Sequence, residues 1–155
     1  MRLLAHGVAI EAEDTGPPGA PAVVLVMGLG MQLVAWPDAF VQGLAGAGFR
    51  VVRFDNRDIG LSQSFDALGV PNVVWEGLKH RFGLSVRTPY TIADMAADTL
   101  GVMDALGIAR AHVIGVSMGG MIAQRVALAA PQRVTTLASI MSSSGARYRR
   151  GRSRT

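Results

Sequence analysis

Ser117 is the residue in this sequence best placed to do chemistry. It lies between Gly115 and Gly119, which gives the spacing G-x-S-x-G. A serine at the apex of such a tight turn holds its hydroxyl above the preceding strand, and the backbone N–H of the next residue, Met118, points to the same side. A hydroxyl beside such a donor is suited to attack a carbonyl carbon, because the N–H stabilises the charge that develops on the carbonyl oxygen. The alternative is an ordinary strand-to-helix turn with a capping serine.

A second backbone N–H donor for the same site is predicted at Leu29. Leu29 lies between Gly28 and Gly30, directly after the apolar run of residues 22–27. A glycine-bounded loop at the end of a strand allows a backbone N–H to face a neighbouring site. A dinucleotide-binding loop would need a third glycine three residues later, where Leu33 stands. That interpretation and a plain loop before a helix stay open as alternatives.

Other ionisable residues give weaker signals. We expect Asp55, Arg57 and Asp58 to pair within their own loop rather than act as acid and base. The absence of cysteine excludes a disulfide framework, a thiolate metal site and cysteine catalysis. The three histidines do not have the spacing of metal ligands: His6, His80 and His112. We therefore predict no metal site.

The elements that position these residues follow from the hydrophobic pattern. Apolar runs predict strands at residues 3–10, 22–27, 49–54, 113–116 and 134–141. Helical spacing predicts helices over residues 36–47, 92–106 and 121–129. The buried face of the first helix is predicted to hold Phe40, Leu44 and Ala47. Thr91 and Asp94 match a capping box for the second helix, on which Asp98 is expected to face solvent.

This alternation of strands and helices predicts an α/β fold with a predominantly parallel sheet and helices on both faces. Residues 64–90 interrupt the alternation and show no regular pattern. The carboxyl ends of parallel strands lie at one edge of a sheet, where sites of such folds form. We therefore expect Leu29, the loop that starts at Asp55, Ser117 and Ser142 to converge.

Composition and charge indicate one globular domain with a basic tail. Half of the 155 residues are apolar and 17% are charged. Five of the 15 basic residues lie in the last nine positions, and without them ten basic residues face eleven acidic ones. We divide the chain into a domain at residues 1–146 and a tail, predicted to be disordered, at residues 147–155. The basic tail lacks aromatic or amphipathic patterning, so we predict no nucleic-acid and no membrane partner.

The sequence also bears on location. Its first residues lack the pattern of a signal peptide, and the apolar run of residues 22–27 is too short to span a bilayer. A cytoplasmic protein is the expectation.

The three loop motifs together resemble the α/β-hydrolase superfamily. Residues 27–30 resemble its oxyanion loop, although that loop often has a histidine in place of Met27. Residues 55–62 resemble the loop after its next strand, and residues 115–119 resemble its nucleophile elbow. Residues 1–146 fit the N-terminal half of that fold. The runs at residues 25–30 and 53–60 are similar to bacterial esterases of the aclacinomycin methylesterase and lactonase type.

The resemblance implies roles for particular residues. Ser117 would be the nucleophile, and the N–H groups of Leu29 and Met118 would form the oxyanion hole. The reaction would be acyl transfer from a small-molecule ester or lactone to serine, followed by hydrolysis, without a cofactor.

The sequence departs from the family after Ser117. In the family an acid and a histidine follow the nucleophile, whereas no histidine, aspartate or glutamate follows Ser117 here. We therefore expect a truncated hydrolase core with weak or no hydrolysis. The alternative is a non-catalytic fragment or interaction module that retains the scaffold. An open sheet edge left by missing strands would favour self-association.

Overall fold

A computed structural model describes residues 1–65 and 88–144 of the chain. The strands of these residues are β1 (Arg2–Ala5), β2 (Val8–Thr15), β3 (Ala22–Val26), β4 (Arg50–Phe54), β5 (Ala111–Val116) and β6 (Val134–Ile140). The helices are α1 (Asp38–Gly46), α2 (Ile92–Ala105) and α3 (Met118–Ala129), with short 3-10 turns at Leu33–Ala35 and Pro131–Arg133. Most of the irregular segment predicted at residues 64–90, including His80, and the basic tail lie outside the described residues.

The strands form one mixed sheet in the order β1-β2-β4-β3-β5-β6. The four strands β3 to β6 are mutually parallel, whereas β2 pairs antiparallel with β4 and β1 pairs antiparallel with β2. The prediction of a predominantly parallel sheet is confirmed. The parallel strands β4, β5 and β6 each follow a helix or a helical turn, which provides the crossover connection that parallel strands need.

The prediction of a single first strand at residues 3–10 is wrong. The chain reverses at His6 and Gly7, which both have positive φ, at 49° and 80°. Two consecutive residues with positive φ make the tight turn that suits the twist of a β-hairpin. Residues 3–10 are apolar except for His6 and Gly7 at the turn itself, so the hydrophobic pattern alone hides the reversal.

Helices cover both faces of the sheet, as predicted. On one face, α2 and α3 pack on a large core that includes Val24, Val113 and Val126. On the other face, α1 packs on a smaller core around Leu25 and Val51. This arrangement buries β3 completely, since β3 lies between β4 and β5 and has a helix layer on each side.

The predicted buried face of α1 is wrong in part. The helix begins at Asp38, after Pro37, rather than at residue 36. Val41 is therefore its buried residue, while Phe40 is exposed and stacks on Trp36 with ring centroids 5.7 Å apart. Pro37 fixes the start of the helix. Proline fits at the residue before the first turn, whereas inside a helix it lacks an N–H donor and its ring clashes with the preceding turn.

The start of α2 matches its prediction. The N–H of Thr91 donates to Asp94 Oδ2 at 2.7 Å, and the N–H of Asp94 donates to Thr91 Oγ1 at 3.3 Å. These two bonds form a capping box. The hydrogen bonds from Thr91 also hold the pKa of Asp94 below its ordinary value, because they stabilise the charged carboxylate. In the part of the chain that the structure describes, no helix is long and apolar enough to cross a membrane.

Candidate active site

A single residue, Ser117, links β5 to α3, and it has a backbone conformation that residues other than glycine rarely adopt. Its φ is 55° and its ψ is −120°. Its N–H donates to the carbonyl oxygen of Ile140 at 2.9 Å, which ties the bend to the end of β6. The residue is exposed, so its hydroxyl is accessible at the carboxyl end of β5. The chain thus turns from strand to helix as sharply as the glycine spacing predicts.

The glycines around Ser117 allow backbone segments to touch. A Cβ at Gly115 would overlap the carbonyl oxygen of Gly119, and a Cβ at Gly119 would overlap that of Val26. A Cβ at Gly120 would come within 2.6 Å of the Cβ of Ser142. The first turn of α3 therefore lies directly on the ends of the neighbouring strands. Side chains at these positions would force the helix away from the sheet.

Leu29 lies in the loop that follows β3, and this loop passes beside Ser117. A Cβ at Gly28 would lie 3.3 Å from the Cβ of Ser117 and 3.8 Å from its Oγ. Among the described residues, no hydrogen bond engages the N–H of Leu29 or that of Met118. Met118 is the first residue of α3, where a helix has no internal acceptor for its N–H groups. Within the described residues, both N–H groups therefore lack a hydrogen-bond acceptor.

The loop after β4 supports the loop of Leu29. Asp55 is only 3% exposed, and its two carboxylate oxygens accept hydrogen bonds from the N–H groups of Leu33 at 2.7 Å and Leu61 at 3.0 Å. The side-chain amide of Asn56 donates to the carbonyl oxygen of Met27 at 3.0 Å. The prediction that the charges of this loop pair with one another is therefore wrong for Asp55, which binds backbone N–H groups of two loops.

Arg57 makes its ion pair with a helix rather than within its loop. Its guanidinium donates two hydrogen bonds of 2.6 Å to Asp98 of α2 and lies 5.3 Å and 5.1 Å from the ring centroids of Phe65 and Tyr90. The hydrogen bonds to Asp98 raise the pKa of Arg57. Burial, together with a hydrogen bond to Asp58, raises the pKa of Tyr90 to about 12. The aromatic rings and the carboxylate enclose the cation on several sides.

The prediction that Asp98 faces solvent is wrong, since its exposure is only 2%. Asp98 lies three residues after Met95 and four before Val102, both on the buried face of α2. The position of Asp98 on the apolar face of the helix indicates that it is buried, and a buried charge needs a partner of opposite charge. The partner, Arg57, is 41 residues away in the chain, and no local pattern identifies it.

Neither of the two histidines within the described residues lies at the carboxyl end of β5. His112 lies in β5, five residues before Ser117, which corresponds to about 16 Å along a strand. Its Nδ1 lies 2.8 Å from Thr136 Oγ1. His6 lies in the turn between β1 and β2, not in a strand as predicted. Within residues 1–65 and 88–144, no three histidine, aspartate or glutamate side chains lie close enough to hold a metal ion.

A family model for the alpha/beta hydrolase fold matches residues 21–151. Two rhodomycin D methylesterases are similar in sequence: the protein of Streptomyces sp. strain C5 is 37% identical over 130 residues, and that of Streptomyces peucetius is 36% identical over the same length. Each alignment covers 84% of this chain but 38% of the relative. The chain thus spans about two fifths of the length of the curated relatives it matches.

Solved structures show the same architecture. A hydrolase from Pseudomonas aeruginosa PA01 superimposes with a TM-score of 0.67 at 32% identity, over 86% of this chain and 42% of that protein. The enol-lactonase from Burkholderia xenovorans LB400 superimposes with a TM-score of 0.63 at 33% identity, over 86% of this chain and 44% of that protein.

Proposed function

The chain belongs to the α/β-hydrolase family, and on this premise we propose that it supplies the nucleophile and the oxyanion hole of a serine hydrolase for ester or lactone bonds. The observation that carries the proposal is the geometry at Ser117. Its exposed hydroxyl stands at a strained bend beside Gly28, with the N–H groups of Leu29 and Met118 open. Relatives named as methylesterases and an enol-lactonase support the choice of ester and lactone substrates.

The proposed reaction has two steps and uses no cofactor. Ser117 Oγ bonds to the carbonyl carbon, and the bond from that carbon to the alkoxy oxygen breaks, so that the acyl group stays on serine and the alkoxy oxygen takes up the proton that the serine hydroxyl loses. Water then adds to the acyl carbon and the bond to Ser117 Oγ breaks, which gives a carboxylic acid and restores the serine hydroxyl. In both steps the carbonyl oxygen becomes negative, and the N–H groups of Leu29 and Met118 stabilise it.

The serine hydroxyl must lose its proton to become a strong nucleophile. Among the described residues, His112 lies in β5 five residues before Ser117, too far along the strand to accept that proton. An oxyanion hole alone supplies part of the rate enhancement. The proposal for the described residues therefore concerns the nucleophile and the two N–H donors.

A fluorophosphonate probe tests this proposal, because it phosphonylates serines that have an adjacent oxyanion hole. We expect labelling that peptide mass spectrometry assigns to Ser117 and that Ser117→Ala abolishes. Ser142→Ala is a matched control at the nearby end of β6 and should keep the labelling. An unlabelled Ser117 in protein that circular dichroism shows to be folded would contradict the proposal.

We also propose a non-catalytic property, self-association through the free edge of β6. Within the described sheet β6 is a terminal strand, five of its seven residues are exposed, and it contains no charge and no proline. Natural edge strands usually carry a charged residue or a proline, because an edge without them tends to pair with another chain. The opposite edge, β1, is only four residues long and begins with Arg2. Sedimentation velocity over a range of concentrations should show a dimer, and a monomer at every concentration would contradict this.

A further inference from the structure

The loop at residues 28–33 has few contacts of its own. Between its own backbone groups it has one hydrogen bond, from the N–H of Met31 to the carbonyl oxygen of Gly28, at 3.4 Å. Residues 29–32 are exposed, and Leu29 is 76% exposed. Gly30 has a φ of 71°, and because glycine has no side chain this position can change its backbone conformation easily. Neither packing nor internal hydrogen bonding therefore fixes the direction of the Leu29 N–H.

Two consecutive side chains from the loop after β4 hold both ends of this loop. Asn56 binds the carbonyl oxygen of Met27 at 3.0 Å, and Asp55 binds the N–H of Leu33 at 2.7 Å. Both bonds are buried. The Met27 carbonyl shares a planar peptide with the N–H of Gly28, so fixing its oxygen fixes the plane that leads into the loop. The next peptide carries the N–H of Leu29.

Several contacts hold the supporting loop in place. A Cβ at Gly60 would overlap the carboxylate of Asp55, and the hydroxyl of Ser62 donates to the carbonyl oxygen of Asp55 at 2.7 Å. The buried ion pair of Arg57 with Asp98 anchors the same loop to α2. These contacts hold the backbone that carries the side chains of Asp55 and Asn56.

We propose that Asp55 and Asn56 are positioning residues that aim the N–H of Leu29 at the space above Ser117. This inference rests on the proposed function, since it assigns that N–H to the oxyanion hole. The two side chains act through the loop and do not touch the substrate. An oxyanion hole is effective when its donors are oriented before the reaction, because no energy is then spent in turning them.

The test compares variants of this pair with a matched variant elsewhere. Asn56→Leu keeps the approximate side-chain volume but removes the hydrogen-bond donor to the Met27 carbonyl oxygen. If this variant does not fold, Asp55→Asn replaces it, because asparagine keeps one of the two acceptor oxygens. Asp14→Asn is the control, because Asp14 holds a partly buried, bidentate bond to Arg50 at the amino end of β4, away from Ser117. Two quantities are measured: deuterium uptake of the peptide that covers residues 28–33, and the fluorophosphonate constants kinact and KI.

We expect Asn56→Leu to raise the exchange rate of the buried, hydrogen-bonded amide of Leu33 at least tenfold and to lower kinact about tenfold, with KI unchanged. Asp14→Asn should change neither, at equal global stability. Equal effects in both variants would overturn the inference, as would a released loop with an unchanged kinact. If the unsubstituted protein takes no label, the proposed function fails, while deuterium uptake still decides whether the pair holds the loop.

Discussion

The backbone of Ser117 carries the clearest local strain in the described residues. A φ of 55° with a ψ of −120° is a region that glycine enters easily and other residues do not. Such a conformation costs about 1–3 kcal/mol and persists only where the surroundings enforce it. Here the bond to Ile140 and the contact of α3 with the strand ends enforce it. The strain is consistent with selection for the position of the hydroxyl rather than for stability.

Ser117→Gly is therefore expected to stabilise the protein. The free energy of unfolding of Ser117→Gly should exceed that of Ser117→Ala by about 1 kcal/mol. Glycine adopts this φ without a steric cost, whereas alanine retains the steric cost of a side chain. Urea denaturation of both variants measures the difference. Ala97→Gly in α2 is the control for glycine in general and should destabilise by about 1 kcal/mol. Equal stability of Ser117→Gly and Ser117→Ala would show that the bend is unstrained.

Tyr90 gives stability a dependence on alkaline pH. Its pKa is about 12 in the folded protein, against about 10 for an unfolded tyrosine. Between these values the unfolded chain has lost the proton and the folded chain retains it, so stability falls as the pH rises from 10 to 12. The group is partly exposed, and solvent screening reduces the expected loss to about 1 kcal/mol. Tyr90→Phe should remove this part of the slope between pH 10 and pH 12, and an unchanged slope would refute the assignment.

At the scale of elements, the contact of α3 with the strand ends depends on glycine. Gly119 lies where the first turn of α3 meets the backbone of Val26, and the two elements have no room for a side chain between them. Because both contacting groups are main chain, neither can relax by changing a rotamer. The helix must shift or the strand must bend.

Gly119→Ala is accordingly expected to lower the free energy of unfolding by about 2–3 kcal/mol. Gly43→Ala is the matched control: this glycine lies inside α1 with nothing within 4 Å of a Cβ, so alanine should stabilise by about 0.5–1 kcal/mol. Thermal and urea unfolding of the two variants give the comparison. Changes of the same sign in both would contradict the packing described here.

The ion pair of Arg57 and Asp98 connects α2 to the loop after β4. Both side chains are buried, so removal of one leaves the other charge without a partner. Asp98→Ala should therefore cost about 3–5 kcal/mol. The double variant Arg57→Met, Asp98→Leu should recover most of this loss, because an apolar pair avoids the burial of charge. Chemical denaturation measures both, and a double variant as unstable as Asp98→Ala would argue against this cause.

At the scale of the whole molecule, the described sheet has two unlike edges. β1 is short, while β6 presents seven residues without a charge. The interior strands β3 and β4 are protected by neighbours on both sides. Association is therefore expected at β6, where a second copy could add its own β6 in antiparallel order about a two-fold axis.

Leu137→Lys is expected to weaken this association. Leu137 lies in β6 and is 41% exposed, and two lysines brought together across a two-fold axis would repel each other. Leu128→Lys adds the same charge at a 75% exposed position of α3 and should leave the association unchanged. Sedimentation velocity at matched concentrations measures the dimer fraction. An equal loss in both variants would indicate a general charge effect rather than an edge contact.

The sequence by itself determined the features that are encoded over short stretches. The glycine spacing around Ser117 predicts the sharp bend, Thr91 and Asp94 predict a capping box, and the apolar runs predict the parallel strands. Each of these patterns lies within about ten residues, so backbone sterics and local hydrogen bonds decide the outcome. The order of strands and helices then brings Leu29 and Ser117 to the same edge of the sheet.

Only the tertiary structure decided which polar side chains support that edge. Asp55 meets Leu33 across 22 residues of chain, Asn56 meets Met27 across 29, and Arg57 meets Asp98 across 41. Nothing local distinguishes a carboxylate that binds two backbone N–H groups from one that faces solvent. The free energy of such a contact depends on burial, and burial exists only after the sheet and the helices have packed together.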